Sequence, residues 1–384
     1  MQIILYAPIY GQSGFELLSR NIAIALDKLG VQVELRVRGE WNLEKCELDQ
    51  EDYARLQRME KQKVSPHSPT LLQQVIPAGF LDSNECRDSC LKVCFSLFET
   101  DKCPNPWIEP FNKINEVWTF SNFNKEGWEK SGVERIKVMP FGIDTNLFNP
   151  DVKPLEIKNR KKFMFFTNGD FTERKNFEVV LEAFVKEFSK TEDVCLLVKA
   201  HFGGFLRVNK EEVKRRFTET IKRFNPDAPT ILFFGDKIPA NEIPRLYASS
   251  DCFVLASRGE GLGLPYAEAL ACGTPVIATG WGGQTEFLND TNSYLLRYNL
   301  KVIDDMEYIR KCLWALNHKW AEVDVKNLME LMRFVYEFKE EAEAKAYQGR
   351  KEMEEKTWQN VGLWIIKRIK ELTTIMPQIK AGVK

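Results

Sequence analysis

The sequence has almost no excess of charge and no long apolar run. Its 54 basic residues balance 55 acidic ones, which gives a formal charge of −1 over 384 residues. A dedicated nucleic-acid binder concentrates positive charge on one domain or stripe, so this balance argues against nucleic acid as a partner. No apolar stretch approaches the ~20 residues that span a bilayer, and no basic region precedes the short apolar run at the N-terminus. These absences predict a cytoplasmic protein and leave peripheral contact with the inner membrane face open.

The sequence also lacks a recognisable metal motif. Nine cysteines are scattered over the chain, and the densest group is Cys86, Cys90, Cys94 and Cys103. Their spacing matches neither a zinc site nor an iron–sulfur site, and no histidine lies among them. Reduced, buried thiols are therefore the favoured interpretation. No Asp-x-Asp motif follows a predicted strand, so no metal cofactor is expected.

What the sequence does have is a repeated alternation of strand-like and helix-like segments. Ile3–Ala7 is a short apolar run, a glycine-bearing turn follows it, and apolar residues then recur at helical spacing. The alternation stops at a charged linker with two prolines, residues 149–162, and restarts at Phe163. Strands that alternate with helices predict parallel sheets. The expected fold class is therefore α/β, with two Rossmann-like, doubly wound domains facing a central cleft.

The expected boundaries are residues 1–150 for the N-terminal domain, 151–357 for the C-terminal domain and 358–384 for a terminal helix. From Met306 onward the pattern predicts helices alone. The last helix carries an apolar stripe with interleaved basic residues, which is compatible with a membrane-surface element. Packing of this stripe on the protein is the favoured interpretation, because most amphipathic helices cover a core.

The most informative segment runs from Ala256 to Ala278, where an apolar strand ends in a glycine-rich loop and a short helix follows. The free backbone N–H groups of such a loop, with the positive end of the helix, suit a phosphate group. Glu260 lies in the loop, and Glu268 follows eight positions later. Two acids would repel phosphate alone, but they fit hydroxyl groups on either side of the phosphates, as in a nucleotide sugar. The simpler alternative is a helix that begins with glycines and exposes two glutamates.

This spacing resembles the Glu-x7-Glu signature of family 4 retaining glycosyltransferases, the glycosyl transferases group 1, which have the GT-B fold. The resemblance covers the C-terminal domain well and the N-terminal domain in patches. Similar motifs occur in the family's order along the chain: Phe141-Gly-Ile-Asp at the domain junction, Phe233-Phe-Gly-Asp-Lys-Ile-Pro on the nucleotide side, Thr279-Gly-Trp-Gly-Gly before the final strand, and Thr357-Trp-Gln-Asn-Val at the start of a helix that crosses back to the first domain.

The resemblance implies a role for each matching residue. It places Glu268 on the donor ribose, Glu260 on the donor sugar and Lys175 on the diphosphate, which makes Glu260 and Lys175 the expected catalytic residues. The other donor-binding residues that it implies are Gly11, Gly14, Arg174, Gly235, Lys237, Ile238, Gly261, Gly263 and Leu264. Asp170 stands where the family often has the first basic residue of its phosphate clamp, and Arg174 is expected to compensate. From composition alone, Arg174 and Lys175 read as solvated charges before a helix, but their place beside a strand end favours the clamp.

The acceptor side is less clearly marked. Glu99 and Asp101 follow an apolar strand, where open α/β sheets place their ligands, and they are the acceptor candidates. Surface carboxylates are an equal alternative. Many relatives carry a histidine at a strand end of the N-terminal domain, facing the donor sugar. Here His67 reads as a loop residue, His201 ends a strand of the other domain, and His318 falls in a predicted helical region.

The sequence and its resemblance together predict a hexosyltransferase. It would move a sugar from a nucleotide-sugar donor to a hydroxyl group of a glycan, lipid or small-molecule acceptor, with retention of the anomeric configuration. The nucleotide sugar is the substrate, and no cofactor or metal is expected. Two alternatives stay open: a nucleotide-sugar epimerase of the same fold, and a nucleotide-sugar-binding protein without turnover.

Overall fold

The protein is described by a computed structural model that covers residues 1–38, 46, 48–73, 88–201, 210–225, 227–234 and 238–381. The chain divides into two compact units. The first unit contains Met1–Phe98, Lys102–Gly142 and Lys356–Lys384, and the second contains Glu99–Asp101 and Ile143–Glu355. Each unit is described separately below.

The first unit is a parallel sheet with helices between its strands. Its elements in the described residues are β1 (Gln2–Ala7), α1 (Gly14–Lys28), β2 (Gln32–Val37), α2 (Gln50–Lys61), β3 (Thr70–Gln73), β4 (Lys92–Phe95), α3 (Asn105–Asn112), β5 (Glu116–Thr119), α4 (Asn122–Lys130), β6 (Ile136–Val138) and α12 (Trp358–Ala381). The strand order is β2-β1-β3-β4-β5-β6, and every pair is parallel. This order, with β1 between β2 and β3, is that of a doubly wound parallel sheet.

The terminal helix α12 packs on its own unit. Its side chains Val361, Ile365 and Ile369 are buried, and a Cβ atom on Gly362 would come within 2.7 Å of the Leu29 side chain, one residue past α1. The predicted packing of this apolar stripe on the protein is therefore confirmed. Within the described residues, none of the helices combines the length and the apolar character needed to cross a membrane.

The second unit is also a parallel sheet with helices between its strands, in a different strand order, and it adds a two-stranded antiparallel sheet. Its elements in the described residues are β7 (Phe163–Asp170), α5 (Phe177–Glu187), β8 (Val194–His201), α6 (Lys210–Phe224), β9 (Thr230–Phe234), α7 (Ile243–Ala248), β10 (Cys252–Leu255), α8 (Leu264–Ala271), β11 (Val276–Thr279), β12 (Tyr294–Leu296), β13 (Tyr298–Val302), α9 (Met306–Lys311), β14 (Lys319–Val323), α10 (Val325–Glu337) and α11 (Lys339–Glu354). The main sheet has the order β12-β11-β10-β7-β8-β9 and is parallel throughout.

The central strands of this second sheet are apolar on both faces. Every residue of β10 and β11 is buried, as are the first six residues of β7. Helices cover both sides of such a sheet, which is why the strands read as continuous apolar runs instead of alternating ones. Because β10 pairs with β7, the loops that follow these two strands emerge side by side at the carboxyl edge of the sheet.

The prediction that the chain is helical from Met306 onward is wrong at one place. Lys319–Val323 forms β14, which pairs antiparallel with β13. The pattern Lys-Trp-Ala-Glu-Val buries Trp320 at its centre, against a small core with Tyr308 and Ile309. The segment is short and is stabilised by this packing, so its sequence has no periodic pattern that distinguishes a strand from a helix. His318 precedes this strand and does not lie in a helix.

Candidate functional site

The glycine-rich loop of the second unit connects β10 to α8. Gly263 is the N-cap of α8 and has a φ of 87°, in the left-handed region that glycine tolerates. A Cβ atom there would lie 2.8 Å from the Tyr266 ring and 3.0 Å from Gln284. No side chain caps the start of α8, where the Gly263 carbonyl accepts a 3.0 Å hydrogen bond from the Tyr266 N–H. The start of α8, with the positive end of its helix dipole, therefore suits an anion.

A second glycine pair packs on this loop from the end of β11. The Gly283 N–H donates a 2.6 Å hydrogen bond to the Glu260 carbonyl. A Cβ atom on Gly283 would lie 1.9 Å from the Gly261 carbonyl oxygen, so only glycine permits this approach. The Thr279-Gly-Trp-Gly-Gly motif thus supports the glycine-rich loop by direct backbone contact.

Glu260 is the centre of a buried ionic cluster. Its Oε1 accepts a 2.6 Å hydrogen bond from Lys175 Nζ and a 2.7 Å hydrogen bond from Ser257 Oγ, and Arg174 Nη1 lies 3.3 Å away. Glu260 is 6% exposed and Lys175 is 7% exposed. Burial alone would raise the pKa of Glu260, but Lys175 and Arg174 overcome it and hold the pKa at about 2. Glu260 is therefore ionised, and its stabilising effect is lost only as the pH falls from about 4.5 towards 2.

Arg174 is fixed by more than one group. Its Nη1 donates a 2.7 Å hydrogen bond to the Gly259 carbonyl, and its Nη2 lies 3.7 Å from Glu99 Oε1. Arg174 and Lys175 thus take part in buried ion pairs, which is not the arrangement of solvated charges before a helix. Asp170 is exposed at the end of β7, and its charge raises the pKa of Arg174 as a minor contribution after those of Glu260 and Glu99.

Glu268 lies on α8, one turn beyond the loop, and has a different environment. Its Oε2 accepts a 2.9 Å hydrogen bond from Tyr247 Oη. Burial raises the pKa of Glu268 to about 7, although the Tyr247 hydrogen bond and the Lys175 charge act in the opposite direction. The two glutamates therefore have opposite pKa shifts, with Glu260 ionised and Glu268 close to half-protonated near neutral pH.

The remaining predicted residues are dispersed. Gly261 and Leu264 lie in the glycine-rich loop and at the start of α8, as expected. Ile238 lies just before the 3-10 turn Ala240–Glu242, whereas Gly235 and Lys237 fall outside the described residues.

The predicted glycines of the first unit have a local structural role. Gly11 faces Glu16, because a Cβ atom at Gly11 would coincide with the Glu16 carboxylate. Gly14 is the first residue of α1, whose N-cap Ser13 and Glu16 form a reciprocal capping box. The start of α1 is thus capped by its own side chains, in contrast to the start of α8.

The acceptor candidates belong to the second unit and have separate contacts. Glu99 lies by Arg174, as described above. Asp101 is bound to the start of β14, because its Oδ1 accepts a 2.6 Å hydrogen bond from the Lys319 N–H. Next to it, Thr100 Oγ1 lies 2.9 Å from Nδ1 of the buried His318. His67 is exposed in a turn, in agreement with the loop interpretation.

Three residues near the cluster carried no predicted role. Ser257 binds Glu260 and Tyr247 binds Glu268. Burial raises the pKa of Tyr247, and Asn168, near the end of β7, acts in the opposite direction. The Oδ1 of Asn168 is buried without a hydrogen-bond partner. Ser257 could have been noticed because it stands three residues before Glu260 in the same loop. No local pattern brings Asn168 and Tyr247 together.

No metal cluster is found among the described residues, where no three His, Cys, Asp or Glu side chains are grouped to hold an ion. Cys94 and Cys103 are buried, and burial raises the pKa of both thiols. Cys90 is exposed, against the expectation for the group as a whole, and Cys86 falls outside the described residues.

Comparison with known proteins finds a family model that matches part of the chain. Residues 150–317, which include the whole cluster apart from Glu99, match the family model described as glycosyl transferases group 1. This segment is similar to the group 1 glycosyl transferases. The predicted resemblance is therefore confirmed.

One curated relative is the alpha-monoglucosyldiacylglycerol synthase of Streptococcus pneumoniae. It is 32% identical over 153 residues, which are 38% of this chain and 32% of the relative. The chain thus spans about a third of the length of this curated relative.

Solved structures extend the likeness to almost the whole chain. Anabaena Alr3699/HepE in complex with UDP-glucose has a TM-score of 0.66 at 14% identity and covers 97% of this chain and 100% of its own. Sucrose-phosphate synthase from Thermosynechococcus elongatus has a TM-score of 0.67 at 15% identity, with 97% and 99% coverage. At these identities the likeness shows the fold alone. The predicted GT-B architecture, with two Rossmann-like parallel sheets, is confirmed.

Proposed function

We propose that this protein is a retaining glycosyltransferase that moves a hexose from a nucleoside diphosphate sugar to an acceptor hydroxyl. The observation that carries this proposal is the buried Lys175–Glu260 pair beside the uncapped start of α8. Cationic groups and the positive end of a helix are brought to one point, as a departing diphosphate requires. A carboxylate lies at the same point, where positive charge would develop on a sugar ring.

The division of roles follows the environments of the side chains. Lys175, Arg174 and the amides around Gly263 would hold the diphosphate and stabilise the charge that it gains as it departs. Glu260, ionised and adjacent, would oppose the positive charge on the anomeric carbon. Glu268 with Tyr247 would receive the ribose hydroxyl groups. Retention is proposed from the similarity of the segment to the family.

The donor and acceptor are proposed by class. One solved neighbour of the same fold is a complex with UDP-glucose, which makes a UDP-hexose the first donor to try. The name of the pneumococcal relative indicates a diacylglycerol glycolipid, so a lipid acceptor is proposed beside a glycan or a small molecule. A lipid acceptor would require peripheral contact with the cytoplasmic face of the membrane. Nucleic acid is not proposed as a partner.

Radiolabelled donors test this function directly. UDP-, GDP- and ADP-hexoses are incubated with the protein, with and without a mixture of glycan and lipid acceptors. Label recovered in the acceptor supports the proposal. Label recovered in an isomerised donor would indicate an epimerase, and tight binding with the donor unchanged would indicate a binding protein.

Transfer is expected to proceed at an unchanged rate in excess EDTA. The proposed charge stabilisation depends on Lys175, Arg174 and backbone amides, so a divalent cation is not needed for it. The measurement is the initial rate of transfer before and after exhaustive chelation. Loss of the rate in EDTA, with recovery on adding Mg²⁺ or Mn²⁺, would contradict the proposed absence of a metal requirement.

Binding of a nucleoside diphosphate is expected to strengthen between pH 6 and pH 8. The ribose hydroxyl groups donate hydrogen bonds, which an ionised Glu268 accepts better than a protonated one. Because its pKa is about 7, affinity should rise by up to about tenfold per pH unit below that value. Calorimetry with UDP, GDP and ADP measures this rise.

The Glu268→Gln variant and inorganic pyrophosphate serve as the controls. The variant should lose the pH-dependent gain, and pyrophosphate, which titrates similarly but has no ribose, should not show it. Folding stability without ligand should change with pH in the opposite direction to ligand affinity. A carboxyl group whose pKa is raised stabilises the fold below its ordinary pKa, and this stabilisation is lost as the pH rises through about 7. The variant should therefore gain in Tm relative to the wild type from pH 5 to pH 8. An identical pH profile in both proteins would contradict the role of Glu268.

A further inference from the structure

Arg258 links the segment that carries Arg174 to the antiparallel strand β14. It follows Ser257 in the glycine-rich loop. Its backbone N–H donates a 2.7 Å hydrogen bond to the Arg174 carbonyl, and its own carbonyl accepts a 2.8 Å hydrogen bond from the Ala321 N–H. The peptide units of residue 258 therefore connect two segments that are distant in sequence.

The side chain of Arg258 repeats this link. Its Nη1 donates to the Glu173 carbonyl at 2.8 Å and to Glu173 Oε2 at 3.0 Å. On the other side, Nε and Nη2 bind the two oxygens of Glu322 at 3.1 and 3.2 Å. The guanidinium lies 5.5 Å from the centre of the Trp320 ring. The planar guanidinium of arginine has five N–H donors in a fixed geometry, so it can bind both glutamates and the carbonyl at once. The ammonium group of a lysine cannot.

The bridge fixes the backbone from which the two clamp cations extend. Glu173 directly precedes Arg174 and Lys175. Arg174 in turn donates to the Gly259 carbonyl at 2.7 Å, and Lys175 binds Glu260. Hydrogen bonds and ion pairs thus join residues 173–175 to residues 258–260 at each position. A shift of the Glu173 peptide would move both cations together.

We propose that Arg258, held by Glu322, is a positioning residue that sets the place of Arg174 and Lys175 for the donor diphosphate. Arg258 does not itself contact the donor. The inference rests on the proposed function in one respect, the identity of the ligand that the two cations hold. In this proposal, β14 supports the donor site through Glu322.

The chain contains a matched control for this arginine. Arg333 also bridges two glutamates and a backbone carbonyl, through bonds to Glu187 Oε1 at 2.8 Å, Glu192 Oε1 at 2.6 Å and the Glu187 carbonyl at 2.9 Å. It also lies over an aromatic ring, Phe188, at 4.4 Å. Arg333 sits on α10 and binds the end of α5 and the turn after it, away from the glycine-rich loop. Its loss removes the same chemistry without touching the clamp.

The experiment compares Arg258→Gln with Arg333→Gln. The glutamine at 258 leaves Glu173 paired with Arg216 at 2.5 Å, so we expect both variants to fold, with similar Tm values. Arg258→Gln should weaken binding of UDP, GDP or ADP, whichever the wild type binds, by about tenfold. It should also lower kcat by up to about 100-fold, the effect of a small misplacement of catalytic groups. Arg333→Gln should change neither quantity by more than about twofold.

Amide hydrogen exchange tests the positioning without any ligand. Peptides covering residues 171–177 should exchange faster in Arg258→Gln, and peptides covering 187–192 should exchange faster in Arg333→Gln. Arg258→Lys should recover only part of the activity, and Glu322→Gln should add little to the Arg258→Gln defect because the two side chains act as one unit.

Unchanged exchange at 171–177 in Arg258→Gln, or full activity in Arg258→Lys, would overturn the proposal. So would equal loss of activity in the two arginine variants, since that indicates a general effect on stability. A wild-type protein that binds none of the three nucleotides would overturn the proposed function instead. Hydrogen exchange would still decide whether Arg258 fixes the clamp segment.

Discussion

Glu260→Gln is expected to lower kcat by about 10²–10³-fold while leaving binding of the nucleoside diphosphate intact. The variant keeps the size and much of the hydrogen bonding of the side chain but removes the negative charge. If that charge opposes positive charge on the sugar ring, its loss acts on the transition state, and the magnitude is that of deleting one preorganised electrostatic group. Steady-state rates and calorimetry with the nucleoside diphosphate measure the two effects separately.

The structure gives a reason for the binding to persist. Lys175 and Arg174 are both within 3.3 Å of Glu260 Oε1, so the wild-type carboxylate competes with an incoming diphosphate for the same cations. Glutamine removes that competition, and the affinity for the diphosphate should therefore hold or increase. A variant that is merely misfolded would lose affinity, which distinguishes it from one that lacks only the charge.

Glu268→Gln is the matched control, because it makes the same change eight positions away. Glu268 is proposed to bind ribose in the ground state and the transition state alike, so its loss should chiefly raise the donor KM, as expected for uniform binding. Wild-type rates and KM in both variants would contradict both roles. A rise in KM without a fall in kcat for Glu260→Gln would move Glu260 from the chemical step to donor binding.

The fold could be predicted because parallel strands covered on both faces are short, continuous apolar runs. β7, β8, β10 and β11 show this pattern plainly, and glycines or charged residues separate each from the next helix. β14 could not be predicted in this way. Its stability comes from pairing with β13 and from burial of Trp320, and neither contact leaves a period in a five-residue segment.

The residues of the site could be predicted from the sequence, but the contacts between them could not. The glycine-rich loop and its two glutamates are local in sequence, and the chemistry of phosphate and hydroxyl recognition points to them. The contact between Glu260 and Lys175 spans 85 residues and depends on β10 lying beside β7, a strand order that the sequence does not state. The link from Arg258 to Glu322 depends on the unpredicted strand β14.

Lys175→Met is expected to lower both the stability of the protein and its affinity for the donor. Glu260 is 6% exposed, so removal of Lys175 leaves a buried carboxylate with Arg174 as its remaining cation. Breaking a buried ion pair on one side typically costs about 3–5 kcal/mol of unfolding free energy. The lost contact with the diphosphate should weaken nucleoside diphosphate binding by about 1.5–3 kcal/mol, as for a hydrogen bond to a charged group.

These two effects are separable by a second substitution. In Lys175→Met/Glu260→Gln, both charges are absent, so no carboxylate is left underpaired in the interior and most of the lost stability should return. Binding of the nucleoside diphosphate should stay weak, because the cation that holds it is still missing, and kcat should be at least as low as in Glu260→Gln. Denaturant unfolding and calorimetry on the wild type, the single variant and the double variant give the comparison. If Lys175→Met binds the nucleoside diphosphate as tightly as the wild type does, Lys175 serves only as the counterion of Glu260, and the diphosphate must be held by Arg174 and the backbone amides at the start of α8.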